Sequence, residues 1–163
     1  MKKVFSLFIF SIIISGCTQE PETFEELKKA GEKEFIKENY PAARKYFVTA
    51  LKLKQSDRDI LYFLGLSYQR EYLLDSAIYY LKRGDLIYPN DREINLAIYP
   101  IAVELQEWEN ALKAISVLVT TGDPIDKYYK QLVELNIKAE HYIISFIYLK
   151  KLLEAEPDNP NWY

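Results

Sequence analysis

The chain has 163 residues, 49% of them apolar and 28% charged, enough for one domain with its own core and too apolar for a disordered chain. A net charge of −3 argues against the basic footprint of a nucleic-acid-binding protein, and a single cysteine excludes an intramolecular disulfide. Five glycines and seven prolines argue against a loop-rich chain, while 14 tyrosines point to a core and a half-buried layer rich in rings.

The first predicted element is a targeting segment. Lys2 and Lys3 form a short positive start, and residues 4–14 follow as an apolar run of 11 residues broken only by Ser6 and Ser11. That run is short of the roughly 20 residues a membrane-spanning helix needs and suits the apolar region of a signal peptide. Ile14-Ser15-Gly16-Cys17 comes next, with small residues that fit a peptidase cleft ahead of the only cysteine. This stretch resembles the lipobox of bacterial lipoproteins; an ordinary signal peptide with a chance cysteine is the alternative. The resemblance implies a signal peptide over 1–16 and lipid on Cys17, as a diacylglyceryl thioether and usually a third, amide-linked chain. Two or more chains anchor stably where one binds marginally. Loss of Lys2 and Lys3 would leave 19 basic against 24 acidic residues, a net charge of −5. Residues 17–23 read as a lipidated tether, polar after Cys17 and containing Pro21. Its six residues beyond Cys17 reach at most roughly 20 Å.

Beyond the tether, apolar spacing and turn signals predict helices over 24–37, 41–54, 58–71, 75–87, 92–105, 109–120, 126–139 and 143–155. No strand-like alternation persists, so the class is all-α. Asn39-Tyr40-Pro41 and Leu74-Asp75-Ser76 mark turns within helix pairs, with Asp75 and Ser76 as candidate helix starters. Pro89-Asn90-Asp91 and Pro157-Asp158-Asn159 mark turns between pairs. The body repeats with a step of 34 residues: Ala43, Ala77, Ala111 and Ser145 form one column, and Phe47, Leu81, Ile115 and Leu149 another. Tyr40, Leu74, Trp108 and Tyr142 form a third, and Ala30, Leu64, Ile98 and Leu132 a fourth. Gly31 and Gly65 sit one residue after the last column, where a small residue lets one helix of a pair approach the other.

Leu61, Leu64-Gly65, Tyr68, Ala77, Leu81, Gly84 and Pro89 carry a resemblance to tetratricopeptide (TPR) repeats, with Leu61 in place of the usual tryptophan. The resemblance covers 24–159, as repeats 24–57, 58–91, 92–125 and 126–159, with 160–163 as the start of a further helix. It implies a right-handed α-solenoid of about four helical hairpins, whose stacking supplies the core. Two departures stand out. Tyr99 and Val133 occupy the column of Gly31 and Gly65, which makes the third unit irregular and predicts a fourth hairpin splayed relative to the second. Pro100 lies inside a predicted helix at a cost of about 3 kcal/mol, as a tolerated kink or as one that reshapes the surface. The helix over 143–155 is too apolar for one buried stripe. Either the array continues, or this helix is covered by a second copy or a partner.

Catalytic and metal chemistry finds no constellation. His141 is the only histidine, beside a predicted turn, and a metal centre or a Ser-His-Asp triad would need partners that the sequence lacks. No Gly-x-Ser-x-Gly elbow or phosphate loop occurs. The reading is therefore a non-enzyme without cofactor or metal. In tetratricopeptide proteins the first helices of the hairpins line a concave groove for peptides or helices. By position this resemblance places Phe35, Tyr62, Leu66, Gln69, Arg70, Leu96, Val103 and Ile137 in that groove, with Lys28, Glu32, Ile36, Pro100, Lys130, Glu134 and Lys138 around them. Some of these apolar residues can equally pack between neighbouring helices. Glu32 stands where an asparagine of the chaperone-tail clamp is expected, so that ligand is not implied. The implied function is a membrane-anchored scaffold that binds another cell-envelope protein or peptide, with the periplasmic face of the outer membrane favoured. The alternative is a self-associating assembly or pilotin-like factor for an outer-membrane or pilus machine, joined through its C-terminal helix.

Overall fold

The computed structural model describes residues 23–155 and 157, so the targeting segment, Cys17 and residues 160–163 lie outside the described residues. Within them the chain forms four antiparallel hairpins. These are α1 (Phe24–Ile36) with α2 (Tyr40–Leu53), α3 (Arg58–Arg70) with α4 (Leu74–Ile87), α5 (Arg92–Glu104) with α6 (Trp108–Thr120), and α7 (Tyr129–Lys138) with α8 (Tyr142–Ala155). The hairpins stack in chain order, each second helix packing on the next first helix. No strand occurs among the described residues. The architecture is an all-α solenoid, and the predicted helices fall within a few residues of the observed ones.

The repeat columns build the packing. Ala43, Ala77 and Ala111 are fully buried, as are Phe47 and Leu81 beside them. A Cβ added to Gly31 would lie 2.5 Å from the Phe47 ring, and one added to Gly65 would lie 2.6 Å from Leu81 Cδ2. Each glycine is thus the socket for a large side chain 16 residues later. Rings fill the layers within and between hairpins: Phe47 of the first stacks on Phe63 of the second at 5.7 Å, Tyr68 stacks on Tyr80 inside the second at 5.5 Å, and the Arg44 guanidinium of the first lies 4.6 Å from the Tyr68 centroid. Contacts within hairpins thin from the first two to the third and fourth, in line with Tyr99 and Val133 replacing glycine.

Helix ends follow backbone rules. Asp57 and Asp91 cap α3 and α5, accepting from the Ile60 and Ile94 N–H groups, and Thr23 with Glu26 makes a capping box on α1. Asp75 does not cap α4: the helix starts a residue earlier, its N-cap is Leu73, and Asp75 sits in the first turn. The hairpin turns instead share one main-chain device. Glu38, Tyr72, Gln106 and Glu140, spaced by 34, all take φ near 60°, and the next residue's N–H bonds back to the carbonyl of Glu34, Tyr68, Ala102 or Asn136. This is the Schellman closure, formed here without glycine.

One helix start needs correction. The helix predicted over 126–139 begins as a 3-10 turn, Ile125–Tyr128, and becomes α-helical only at Tyr129. The cause is local: Ile125 stands in the column of Asp57 and Asp91 and has no oxygen to cap with, and no side chain caps this turn. Pro100 lies inside α5, as the predicted helix over 92–105 had it, and the helix runs on through it with Pro100 exposed.

Candidate functional site

The first helices stand side by side, with α3 touching both α1 and α5. Each turns one stripe inward, such as Ile60, Leu61 and Leu64 of α3, and leaves the other side open. Leu96 and Ile137 are exposed, at 48% and 51%. Tyr62, Leu66 and Val103 are half-buried against the larger core cluster. Gln69 is half-buried and Arg70 exposed. Gln69 and Pro100 line a recess of about 130 Å³ with Tyr72, Leu74, Ile101 and Glu104. Phe35 meets Tyr40 and Phe63 edge-on at 5.5 and 5.1 Å, so its ring serves packing between the first two hairpins.

Charged side chains at the start of the first helices tie the repeats together. Lys28 Nζ lies 2.6 Å from Asp59 and 3.3 Å from Asp57. Arg58 donates to both Asp91 oxygens at 2.9 Å and also reaches Glu93, and Arg92 pairs with Asp123 at 2.7 Å. Lys28 is thus engaged between repeats, and Lys138 lies over the Trp108 ring at 4.6 Å. Hydrogen bonds from Arg58, opposed by burial, hold Asp91 below its ordinary carboxylate range. At Asp57 burial pushes upward, but the Ile60 N–H, Lys54 and Lys28 outweigh it. Asp123 is lowered to about 2 by bonds from the Tyr128 hydroxyl, Arg92 and Lys127. Burial, with nearby Glu93 and Glu134 respectively, raises the Tyr62 and Tyr99 hydroxyls, so both stay protonated donors.

A second region was not singled out by sequence reasoning. A cleft of about 600 Å³ opens between α4 and α6, floored by α5. Asp85 and Asn95 lie at its base, 6% and 1% exposed, joined by an Asn95 Nδ2 to Asp85 Oδ1 bond of 2.9 Å. Their columns offered a signal: Asp85 replaces Leu51, Val119 and Leu153, and Asn95 replaces Leu61, Tyr129 and Tyr163. His141 lies 3.4 Å from Glu109 at the edge of another cleft, and no group of three or more His, Cys, Asp or Glu among the described residues is placed to hold a metal. No described helix is long and apolar enough to cross a membrane.

Solved structures share this architecture. The chain is similar to pilF of Pseudomonas aeruginosa, at 15% identity and a TM-score of 0.60, covering 86% of this chain and 64% of that one. It is similar to YrrB, a TPR protein with an unusual peptide-binding site, at 20% identity and a TM-score of 0.64 over 83% and 70%. MamA matches at 18% identity and a TM-score of 0.67 over 83% and 74%. At such identities the likeness defines the class: a TPR-like stack of helical hairpins. The chain spans less than two thirds of the pilF chain it matches. No family model and no curated protein matches the sequence.

Proposed function

We propose that this protein is a lipid-anchored scaffold of the bacterial cell envelope that holds a protein or peptide on the face of α1, α3, α5 and α7. The observation that carries the reading is the open side of these helices, where Leu96 and Ile137 are exposed and Tyr62, Leu66 and Val103 half-exposed. A row of apolar groups with protonated tyrosine donors suits an amphipathic helix or an extended peptide. The likeness to YrrB, whose description names a peptide-binding site, supports binding as the use of such a stack. The anchor rests on the lipobox-like Ile14-Ser15-Gly16-Cys17 and the apolar run before it. Tyr62→Ala combined with Leu66→Ala should abolish capture of an envelope partner from detergent-solubilised membranes while helicity stays unchanged; undiminished recovery would remove the groove from the reading. Labelled palmitate should enter the wild type and not Cys17→Ser, and equal labelling of both would sink the anchor.

A second reading, self-association as an assembly or pilotin-like factor, is favoured by α8. Tyr142, Ile143, Ile144, Phe146 and Ile147 are all exposed there, Ile143 at 81%.

A further inference from the structure

The cleft between α4 and α6 opens on the face opposite the first-helix row. Its floor comes from the side of α5 that bears Asn95 and Ile98, whereas Leu96, Pro100 and Val103 occupy the other side. Ile78 and Ile98 make an apolar floor, 6% and 4% exposed, and Tyr79 and Leu86 make tall walls, Leu86 being 83% exposed. Its volume of about 600 Å³ falls within the range of ligand-binding clefts, roughly 300–1,000 Å³, and leaves room for a bulky side chain.

Cations outnumber carboxylates here, with Glu107 at the edge of the cleft on Lys82 and Asn110. Lys82, Arg83 and Lys113 line the cleft against a single carboxylate, Asp85. Asp85 is already satisfied by Asn95 and by Lys113 Nζ at 2.5 Å. A buried carboxylate without such partners would be costly, so the Asp85–Asn95 pair holds Lys113 at the cleft rather than waiting for a cation. Lys113 remains 63% exposed while doing so; Lys82 pairs at 3.4 Å with Glu107, whose carboxylate also accepts from Asn110 of the lining at 2.6 Å, and Arg83 donates to the Gln55 carbonyl. A neighbouring cleft of about 310 Å³ between α2 and α4 shares Tyr79 and Arg83 and adds Lys52, with no carboxylate in its lining. The two clefts adjoin across the Tyr79–Arg83 ridge of α4 and together make a track, cationic and apolar, on a chain whose net charge is −3.

We infer that this track binds an extended acidic segment of a partner protein, seating a bulky apolar side chain over Ile78 and Ile98 and its carboxylates on Lys82, Arg83 and Lys113. Charge complementarity selects the acidic partner. The recessed floor selects a peptide side chain over a lipid surface, because a membrane rewards apolar groups that protrude.

The test uses full-length protein in detergent and a library of fluorescein-labelled heptapeptides, with Asp or Glu alternating with Leu, Phe, Tyr or Trp. A matched library carries Lys or Arg at the acidic positions. Acidic members should bind, and Lys82→Glu with Lys113→Gln should weaken them by at least about tenfold, or 1.4 kcal/mol. Lys82 is exposed, and glutamine at 113 keeps an N–H donor for the buried Asp85; circular dichroism and the unaltered melting temperature of Lys82→Glu alone, which should itself weaken acidic binding, verify that the loss is not one of folding. Tyr62→Ala with Leu66→Ala should leave this binding intact, which separates the track from the groove. Absence of acidic binders, equal binding of the basic library, or loss in the groove variant instead would overturn the proposal. So would binding to phosphatidylglycerol vesicles that depends on Lys82 and Lys113 without peptide binding, which assigns the face to a membrane.

Discussion

At Gly65 the missing side chain sets how closely α3 approaches α4. Alanine is the better helix former by roughly 1 kcal/mol, but its methyl would meet the branch of Leu81 at 2.6 Å from Cδ2, inside a core with no slack. Overpacking of that kind costs about 1–3 kcal/mol and wins. Gly65→Ala should therefore lower the urea-unfolding free energy, by up to about 2 kcal/mol. At Gly84 the nearest obstacle is the flexible end of Ile94 at 3.0 Å, so the same change there should cost much less. If both substitutions stabilise, the socket account is wrong. These sockets are legible in the sequence because a glycine and a large residue recur 16 apart in two successive repeats. Asp85 and Asn95 were harder to interpret, although both break apolar columns. A polar residue in such a column gains meaning only once a group from another helix, here Lys113, is known to reach it.

Helices proved easier to place than their ends. Apolar spacing fixes where each body lies, because a buried stripe tolerates no shift. The hairpin turns fall within a residue of their expected places, but their left-handed residues were not singled out, because the usual marker is glycine and here Glu38, Tyr72, Gln106 and Glu140 stand in its place. The start of α7 was misplaced for the opposite reason: the cap expected from the repeat is missing at Ile125. The surplus of apolar residues on α8 was legible from composition alone, since no helical stripe accommodates Ile143, Ile144, Phe146 and Ile147 together. If α8 mediates self-association, multi-angle light scattering of the mature protein in detergent should give an oligomer, and Ile143→Lys with Phe146→Lys should give a monomer. A monomeric wild type, its mass corrected for detergent, would remove that reading.

At the scale of the whole molecule, ion pairs stitch neighbouring hairpins together, Lys28 to Asp57 and Asp59, Arg58 to Asp91, Arg92 to Asp123. Each of these carboxylates titrates below its ordinary value of 3.8, Asp123 at about 2. As pH falls below that ordinary value, the unfolded chain takes up protons before the folded one does. Stability from these pairs is therefore fully present above about pH 4 and lost as pH falls through the depressed values. The melting temperature should hold nearly level from about pH 7 to pH 5 and drop between about pH 4 and pH 2. Asp91→Asn should lower it at neutral pH and make the acid decline shallower, and an equally steep decline in the variant would dissociate the ladder from acid sensitivity.

The four left-handed turn positions carry a different kind of consequence. Because the main chain alone sets their geometry, residues as unlike as glutamate, tyrosine and glutamine stand at equivalent points, one per hairpin. They form a graduated scale along one edge of the stack. Pairs of dyes fixed at residues 38 and 106, or 72 and 140, would read its curvature as a ruler reads a bent rod, and any flexing of the stack would register as a change in the spacing of the marks.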